Sequence, residues 1–544
     1  MIIDRYPKLS AALMMVLSVT LAVSITQLLG LLGLDARAPA YAPIAHPVTA
    51  RVTTYSDATV VDTVLGPLDG GFRTGDLATL ARGSTGLSAS TVFATGAMTA
   101  GDGAGGTFIW ASTAPAGGDD GCTVIVPVDS SGNPSTGAWV RQWSGPIDVR
   151  WCGACPTCDP TVNADAINAA YALAAYRSTI GLSATVYISG AFLISKTILV
   201  GLPSGGLSSI NTIGDGPLAS RIGWSPAGLA LDAGFAADAG PDGLPVAPDI
   251  AVLLWNQYGS AIKGINVSYS NGAGAPPGAS VGIALSGPVE SQTTNQVHLD
   301  TVSVNGFGTD VSLGGVNTAV GLADCAAQVL FSNCYLSGAT VAGIYGGGNG
   351  NSLEITFLNG GLSGNYVGAQ LGTAGGWLFA GGGCGGNTYA CFLFSAEWQG
   401  PFTVRDWRFE LGAGETALVG TTAAEIDSCT FQMTAPPTGL NIPIQMAGYT
   451  NSKVSVRNSQ FANNYGSDFP QIVSPSGTAG NVSTIEMVND RVYNSSSAPF
   501  YLVPAGGSNG LRYYLYGNYL DGGNQGLHIG TIVDGGMVDS VSSP

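Results

Sequence analysis

The chain has 544 residues, 10% of them charged, 81 glycines and a mean hydropathy of +0.28, where an ordinary globular protein carries about 25% charged residues and about 7% glycine. The length exceeds what one compact core supports, a single long apolar run excludes a polytopic membrane protein, and 45% apolar content excludes wholesale disorder. A net charge of −17 would repel a phosphate backbone, so no nucleic-acid partner is expected.

In chain order, Leu9 to Leu34 is nearly uncharged and apolar, follows Asp4, Arg5 and Lys8, and precedes the small-x-small runs Ala36-Arg37-Ala38 and Ala38-Pro39-Ala40. Residues 1–38 therefore read as a signal peptide or membrane anchor, with a helix buried in an oligomer's stalk as a third reading. A secreted or cell-surface protein, or a virion tail protein, is expected, and any membrane contact would come through this segment. Residues 39–71, rich in Pro, Thr and Ala, read as a linker, and 72–146 as a small β-rich entry domain. Within that domain the run Gly101-Asp102-Gly103-Ala104-Gly105-Gly106 permits a tight turn, and Phe108 and Trp110 alternate into a strand. Such glycine-aspartate runs also occur in calcium and phosphate loops, but this one occurs once, with no following helix and no Lys-Ser/Thr, so the structural reading prevails. Residues 147–182 read as a connecting strand and a helix. Ile167, Tyr171 and Ala174 share one helical face, with Asn163 as the expected N-cap.

Nine cysteines are an odd number. In an exported chain some would pair and at least one would stay free; buried small apolar cysteines are the alternative. Cys152, Cys155 and Cys158 lack a fourth ligand in reach, so a loop disulfide with one spare cysteine is expected there rather than a metal.

Residues 183–530 alternate strand and turn. Several strands end in an apolar alternation, then Asn, Asp or Ser, then an apolar or aromatic residue, as in Val454-Ser455-Val456-Arg457-Asn458-Ser459-Gln460-Phe461. Asp300, Asn333, Asp406, Ser428, Asn458 and Asn489 mark this phase, with the Asn333–Asp406 interval covering two or three units. Repeating strand-rich units of this size predict a solenoid whose coils bury one another. The final segment, 531–544, reads as a tail.

The Gly-Asp-Gly-x-Gly-Gly-x-Phe-x-Trp segment at Gly101–Trp110, the Ile147–Ala154 segment, the Ala-rich helix, Val186-Tyr187-Ile188-Ser189-Gly190 and Ile213-Gly214-Asp215-Gly216 occur in a telling order. That order resembles the pectate-lyase-like superfamily, with a tailspike-type entry region. The likeness is strongest over residues 98–216 and continues by pattern to about 530. It implies an all-β chain: a right-handed parallel β-helix with an N-terminal capping helix and a small β-rich entry domain. It departs from the family at Cys155–Asp165, where paired aspartates often stand.

The resemblance also implies a polysaccharide partner, cut by hydrolysis or by β-elimination. Hydrolysis needs two carboxylates about 5–9.5 Å apart; elimination needs a base, with calcium as the one cofactor it would bring in. No metal-ligand set is assigned. No polygalacturonase-type set of paired Asp, Gly-His-Gly and Arg-x-Lys is present. The densest polar cluster nominates Glu397, Asp406, Glu410 and Glu354 as catalytic acids, and Trp398, Trp407, Arg405 and Arg408 as sugar contacts, with His298 and Asp300 within range of the same groove. A solvated face for the glutamates and a turn position for Asp406 are the bland alternatives. The leading reading is a glycoside hydrolase or polysaccharide lyase. The rival is a non-catalytic glycan-binding or structural spike, for which a homotrimer is expected.

Overall fold

The computed structural model describes residues 50–56, 59–65, 91–94, 96, 102–225 and 250–521, with gaps at 116–117, 128–133, 203, 205, 271–279, 288–293, 315–325, 347–353, 372–374, 395–400, 422, 435–442, 447–452, 464–472, 476–482, 495–500 and 503–510, and also the strands 528–529 and 538–542. The signal or anchor reading of residues 1–38 lies outside the described residues. Among the described residues no helix is long and apolar enough to cross a membrane.

The segment taken as a linker contains an antiparallel pair, Ala50–Ser56 with Thr59–Leu65. Its Thr and Val are strand formers, which the proline-rich start of the segment concealed. The entry domain is an antiparallel sheet of Thr91–Ala94, Gly106–Ala111, Val124–Ile125 and Ala138–Gln142. Its glycine run wraps an arginine. The buried Arg141 donates from Nη1 to the Gly105 carbonyl at 2.8 Å, from Nη2 to the Ala104 carbonyl at 2.8 Å, and from Nε to the Cys122 carbonyl at 3.2 Å. Burial pulls its pKa down to about 10, against nearby acids that raise it. A Cβ on Gly106 would collide with this guanidinium, so the glycines serve packing.

The helix α1 (Pro160–Thr179) buries Ile167, Tyr171 and Ala174 as the periodicity predicts. Asp159, not Asn163, is its N-cap, accepting from the Thr161 N–H at 2.8 Å. Asn163 is buried and joins the helix to its surroundings. It accepts from the Cys155 N–H at 2.9 Å and donates to the Leu193 carbonyl at 3.1 Å. The Tyr171 hydroxyl meets Thr212 Oγ1 at 2.7 Å, so α1 covers the first coils.

From residue 185 the chain winds through three faces. Face A holds strands such as Leu330–Ser332, Ile355–Leu358, Trp377–Ala380 and Phe402–Arg405. Face B holds Tyr335–Ser337, Gly361–Ser363, Gly383–Gly385 and Arg408–Leu411, and face C holds Ala342–Gly346, Val367–Leu371 and Ala390–Phe394. Each strand pairs in parallel with its counterpart one coil on, for example Tyr335↔Gly361, Gly361↔Gly383 and Gly383↔Arg408. Among the described residues face C is a ten-stranded parallel sheet, and faces A and B form one continuous sheet around the corner between them. This is a right-handed parallel β-helix, the hand that parallel crossovers adopt.

From the coil of Ala261–Lys263 onward, the described coils turn from A to B through one left-handed residue. Asn333, Asn359, Gly381, Asp406, Ser428, Asn458 and Asn489 all have φ between 49° and 68°. The Asn333–Asp406 interval thus covers three coils. One marker was displaced by a residue: Thr301, not Asp300, takes φ 54°. Inward side chains stack at the coil spacing. Phe409, Phe431 and Phe461 lie 4.5 Å apart and nearly parallel, and Phe331, Phe357 and Phe379 at 5.4 and 5.6 Å. Each such burial stabilises by about 1.5–3 kcal/mol. The segment read as a C-terminal tail supplies a further strand, Val538–Ser542, parallel to Leu511–Asp521.

Among the described residues three disulfides join Cys122–Cys152, Cys155–Cys158 and Cys384–Cys391, while Cys334 and Cys429 are free and buried. The loop disulfide is Cys155–Cys158. The third cysteine of that loop, Cys152, is not spare: it ties the entry domain to the helix cap through Cys122. Burial pushes both free thiols up to about 12, so they act as small apolar core residues.

Buried polar side chains also stack. The Asn518 side chain accepts from the Asp490 N–H at 2.9 Å and donates to the Met487 carbonyl at 3.0 Å. Asp490 repeats the first bond, accepting from the Ser459 N–H at 2.7 Å, but its Oδ2 is buried without a partner. Burial raises its pKa to about 7. The unfolded chain therefore releases this proton first as pH rises from about 4, and the folded state loses stability until about pH 7. Asp490→Asn removes the titration and lets Nδ2 donate as Asn518 does. Its melting temperature should exceed that of the wild type by a margin that widens between pH 4 and 7; a constant margin would contradict the placement of Asp490.

Candidate functional site on face B

Outward positions on face B form two columns because strand residues alternate. The first runs Tyr335, Gly361, Gly383, Arg408, and the second Ser337, Ser363, Gly385, Glu410. In the two middle coils three of these four positions are glycine and the fourth is serine. The side chains vanish there, and the sheet backbone becomes the floor of an open cavity of about 620 Å³. Tyr335, 60% exposed, stands at one end, and Arg408 with Glu410 at the other. Three coil steps of about 4.8 Å separate the ends by roughly 14 Å. A Cβ on Gly361 would sit 3.0 Å from the Tyr335 ring, and one on Gly385 would sit 2.6 Å from Glu410 Cβ. Glycine thus lets both walls lean over the floor. Tyr366 and Tyr389, partly exposed just past the same two strands, stack at 5.6 Å and 11°.

Arg408 Nη2 forms an ion pair with Glu410 Oε1 at 2.8 Å and donates to Gln432 Oε1 at 2.9 Å. Both members of the ion pair are substantially exposed, so it contributes little to stability. Its effect is to hold a planar donor and a carboxylate side by side at the trough's end.

The other nominated residues that the structure describes fall elsewhere. Glu397 and Trp398 lie outside the described residues. Glu354 does not face the trough: it sits at the turn entering face A, with φ 56°, and accepts from Gln328 Nε2 at 2.9 Å. The strand Ile355–Leu358 separates it from the A–B corner by about 13 Å. Asp406 is the exposed left-handed corner residue of its coil, and Arg405 points outward from face A. Trp407 is no sugar platform. It is 1% exposed and packs against Phe357 and Phe379. The reason is steric: an inward Cβ on Gly382 would meet its ring, so a glycine in the preceding coil leaves the room that the indole fills.

His298 and Asp300 lie on face A, not in this trough. Ser332 Oγ donates to Asp300 Oδ1 at 2.9 Å and lies 2.8 Å from His298 Nε2. Partial burial pushes the Asp300 pKa up, but bonds from Ser332, Asn333 and Thr301 hold it below the usual carboxylate value; burial lowers His298. Among the described residues one group has metal-ligand spacing, Cys384, Cys391 and Glu415. Its two sulfurs are joined to each other, and Asn387 Nδ2 donates to Glu415 Oε1 at 3.0 Å.

Of the residues nominated from sequence, Arg408 and Glu410 line this trough; Tyr335, Gly361, Ser363, Gly383 and Gly385 were not nominated. The available signal was glycine in strand phase on two successive coils, in Asn359-Gly360-Gly361-Leu362-Ser363 and Gly381-Gly382-Gly383-Cys384-Gly385.

No family model matches the chain, and no curated protein matches it. Solved structures do. The enzymatically active domain of bacteriophage CBA120 tailspike protein 2 is 13% identical at a TM-score of 0.38, over 80% of this chain and 56% of that one. The gp42 tailspike of Acinetobacter phage vb_AbaP_AS12 is 13% identical at a TM-score of 0.48, over 81% and 72%. The Streptococcus pneumoniae surface protein and adhesin PfbA is 12% identical at a TM-score of 0.43, over 71% and 100%.

Trp407→Ala should cost about 3–5 kcal/mol in denaturant unfolding, as expected for a buried aromatic. A cost below 1 kcal/mol would mean that the indole is not part of the core.

Proposed function

We propose that this protein is exported and binds a polysaccharide along the face B trough. The observation that carries this is the backbone floor at Gly361, Gly383 and Gly385, walled by Tyr335 and by the Arg408–Glu410 pair. The floor's amides are engaged in the sheet, as with Gly361 N–H to the Cys334 carbonyl and Gly383 N–H to the Gly360 carbonyl. A flat surface with satisfied hydrogen bonds suits the C–H face of a sugar ring. Tyr335 offers a ring to stack on. Arg408 and Glu410 offer a donor edge and an acceptor for paired hydroxyls. The floor is open at the surface, as a long-chain ligand requires. Three disulfides support export, since such bonds persist in oxidising compartments.

Recognition is favoured over cleavage by the carboxylate geometry. Two-carboxylate hydrolysis needs a partner for Glu410, and among the described residues lining the trough Glu410 is the one carboxylate. Elimination needs a free base, and Arg408 is paired with Glu410.

A panel of extracellular polysaccharides, scored for binding, reducing ends and unsaturated uronates, tests both readings. Binding without product is expected. Tyr335→Ala should weaken that binding about tenfold with no change in melting temperature, because the side chain is exposed. Unchanged affinity in this variant would place the ligand elsewhere, and accumulating reducing ends would restore the enzyme reading.

A further inference from the structure

We infer that the trough is selective for uncharged glycans and that Glu410 is the residue that turns polyanionic chains away. This rests on the glycan-binding reading above and specifies its ligand class. Among the described residues lining the cavity, Arg408 is the one cation and Glu410 the one anion, so their charges cancel. The cation's charge is already paired. Its Nη2 makes both the ion pair with Glu410 at 2.8 Å and the hydrogen bond to Gln432 at 2.9 Å. A uronate, sulfate or phosphate approaching Arg408 would meet a charge already neutralised by Glu410 and would sit beside that carboxylate with like charge. It would also approach a chain of net charge −17.

A neutral sugar meets no such conflict. Both contacts are made by Nη2, so the Nε and Nη1 edge of the guanidinium carries neither of them. Glu410 meets the guanidinium through Oε1. A pair of neighbouring hydroxyls could accept from the arginine edge and donate to Glu410 Oε2 without breaking the ion pair. Between the coils of Ser303 and Gln432 the outward strip carries no other charge: Ser303 and Asn305, Ser337, Ser363, Thr430 and Gln432 occupy its columns. Hydroxyl and amide groups there match sugar hydroxyls rather than carboxylates.

The full chain is titrated with several neutral polysaccharides, each paired with a carboxymethylated derivative of the same backbone. At least one neutral member should bind, and its charged derivative at least tenfold more weakly. Glu410→Gln keeps the shape and hydrogen-bonding reach of the side chain but releases the arginine's charge. The neutral-to-charged affinity ratio should fall at least tenfold in this variant. Glu425→Gln removes the same unit of charge from an exposed position on face A, and its ratio should match the wild type. A wild-type preference for charged derivatives, an unaltered ratio in Glu410→Gln, or an equal fall in both variants would overturn the role of Glu410 while leaving the trough as a binding site. Failure of every polysaccharide to bind the wild type would overturn both.

Discussion

The structure depends on coils stacked in parallel register at a spacing of about 4.8 Å. Each strand satisfies its backbone on the coils before and after it, so an interior coil has no free edge. That constraint fixes the corners. A chain that must leave face A and enter face B within a residue needs a left-handed turn, and the same turn recurs at Asn333, Asn359, Gly381, Asp406, Ser428, Asn458 and Asn489. It also fixes the side chains: whatever faces inward on one coil meets its counterpart on the next. The phenylalanine stacks and the polar column of Ser459, Asp490 and Asn518 are two results of the same rule.

The trough follows from this register. On a stacked sheet a depression needs only small side chains at matching outward positions of adjacent coils. Gly361, Ser363, Gly383 and Gly385 meet that condition, and the bulk of Tyr335, Arg408 and Glu410 resumes on either side. The interior of these coils is linked to the exterior. Gly382, just before the floor strand, leaves the space that the Trp407 ring fills. A glycine-rich stretch in the middle of a β-helix would otherwise weaken the core, since it supplies no side chain to pack. Here one large indole from the following coil makes up the lost volume.

Much of the fold was legible because the corners admit few residue types. Asparagine and aspartate adopt φ > 0 more readily than other non-glycine residues, so they punctuated the strands visibly. Thr301 takes the same conformation but is β-branched, and the marker was assigned to its neighbour Asp300 instead. Asn359 and Gly381 were harder to see as corners because glycines follow each of them, so the face B strand gives little in-out alternation to continue the phase. The site was less legible for the same reason: its floor is an absence of side chains, while charge and aromatic clusters attract notice. Trp407 was drawn into that cluster, although the parity it shares with the apolar Phe409 and Leu411 already directed it inward, with Arg408 and Glu410 outward. The cap was misread by four residues because Asp159 precedes a proline-started helix, and Pro160 at its first turn is the stronger start signal.

The most direct measurement is a crystal structure of the chain with a bound neutral oligosaccharide drawn from a polysaccharide that it retains. The sugar rings should lie over Gly361, Gly383 and Gly385, with one ring against Tyr335 and its hydroxyls on Arg408 and Glu410. Rings bound on face A or face C, with the glycine floor empty, would contradict the assignment of the trough as the ligand site.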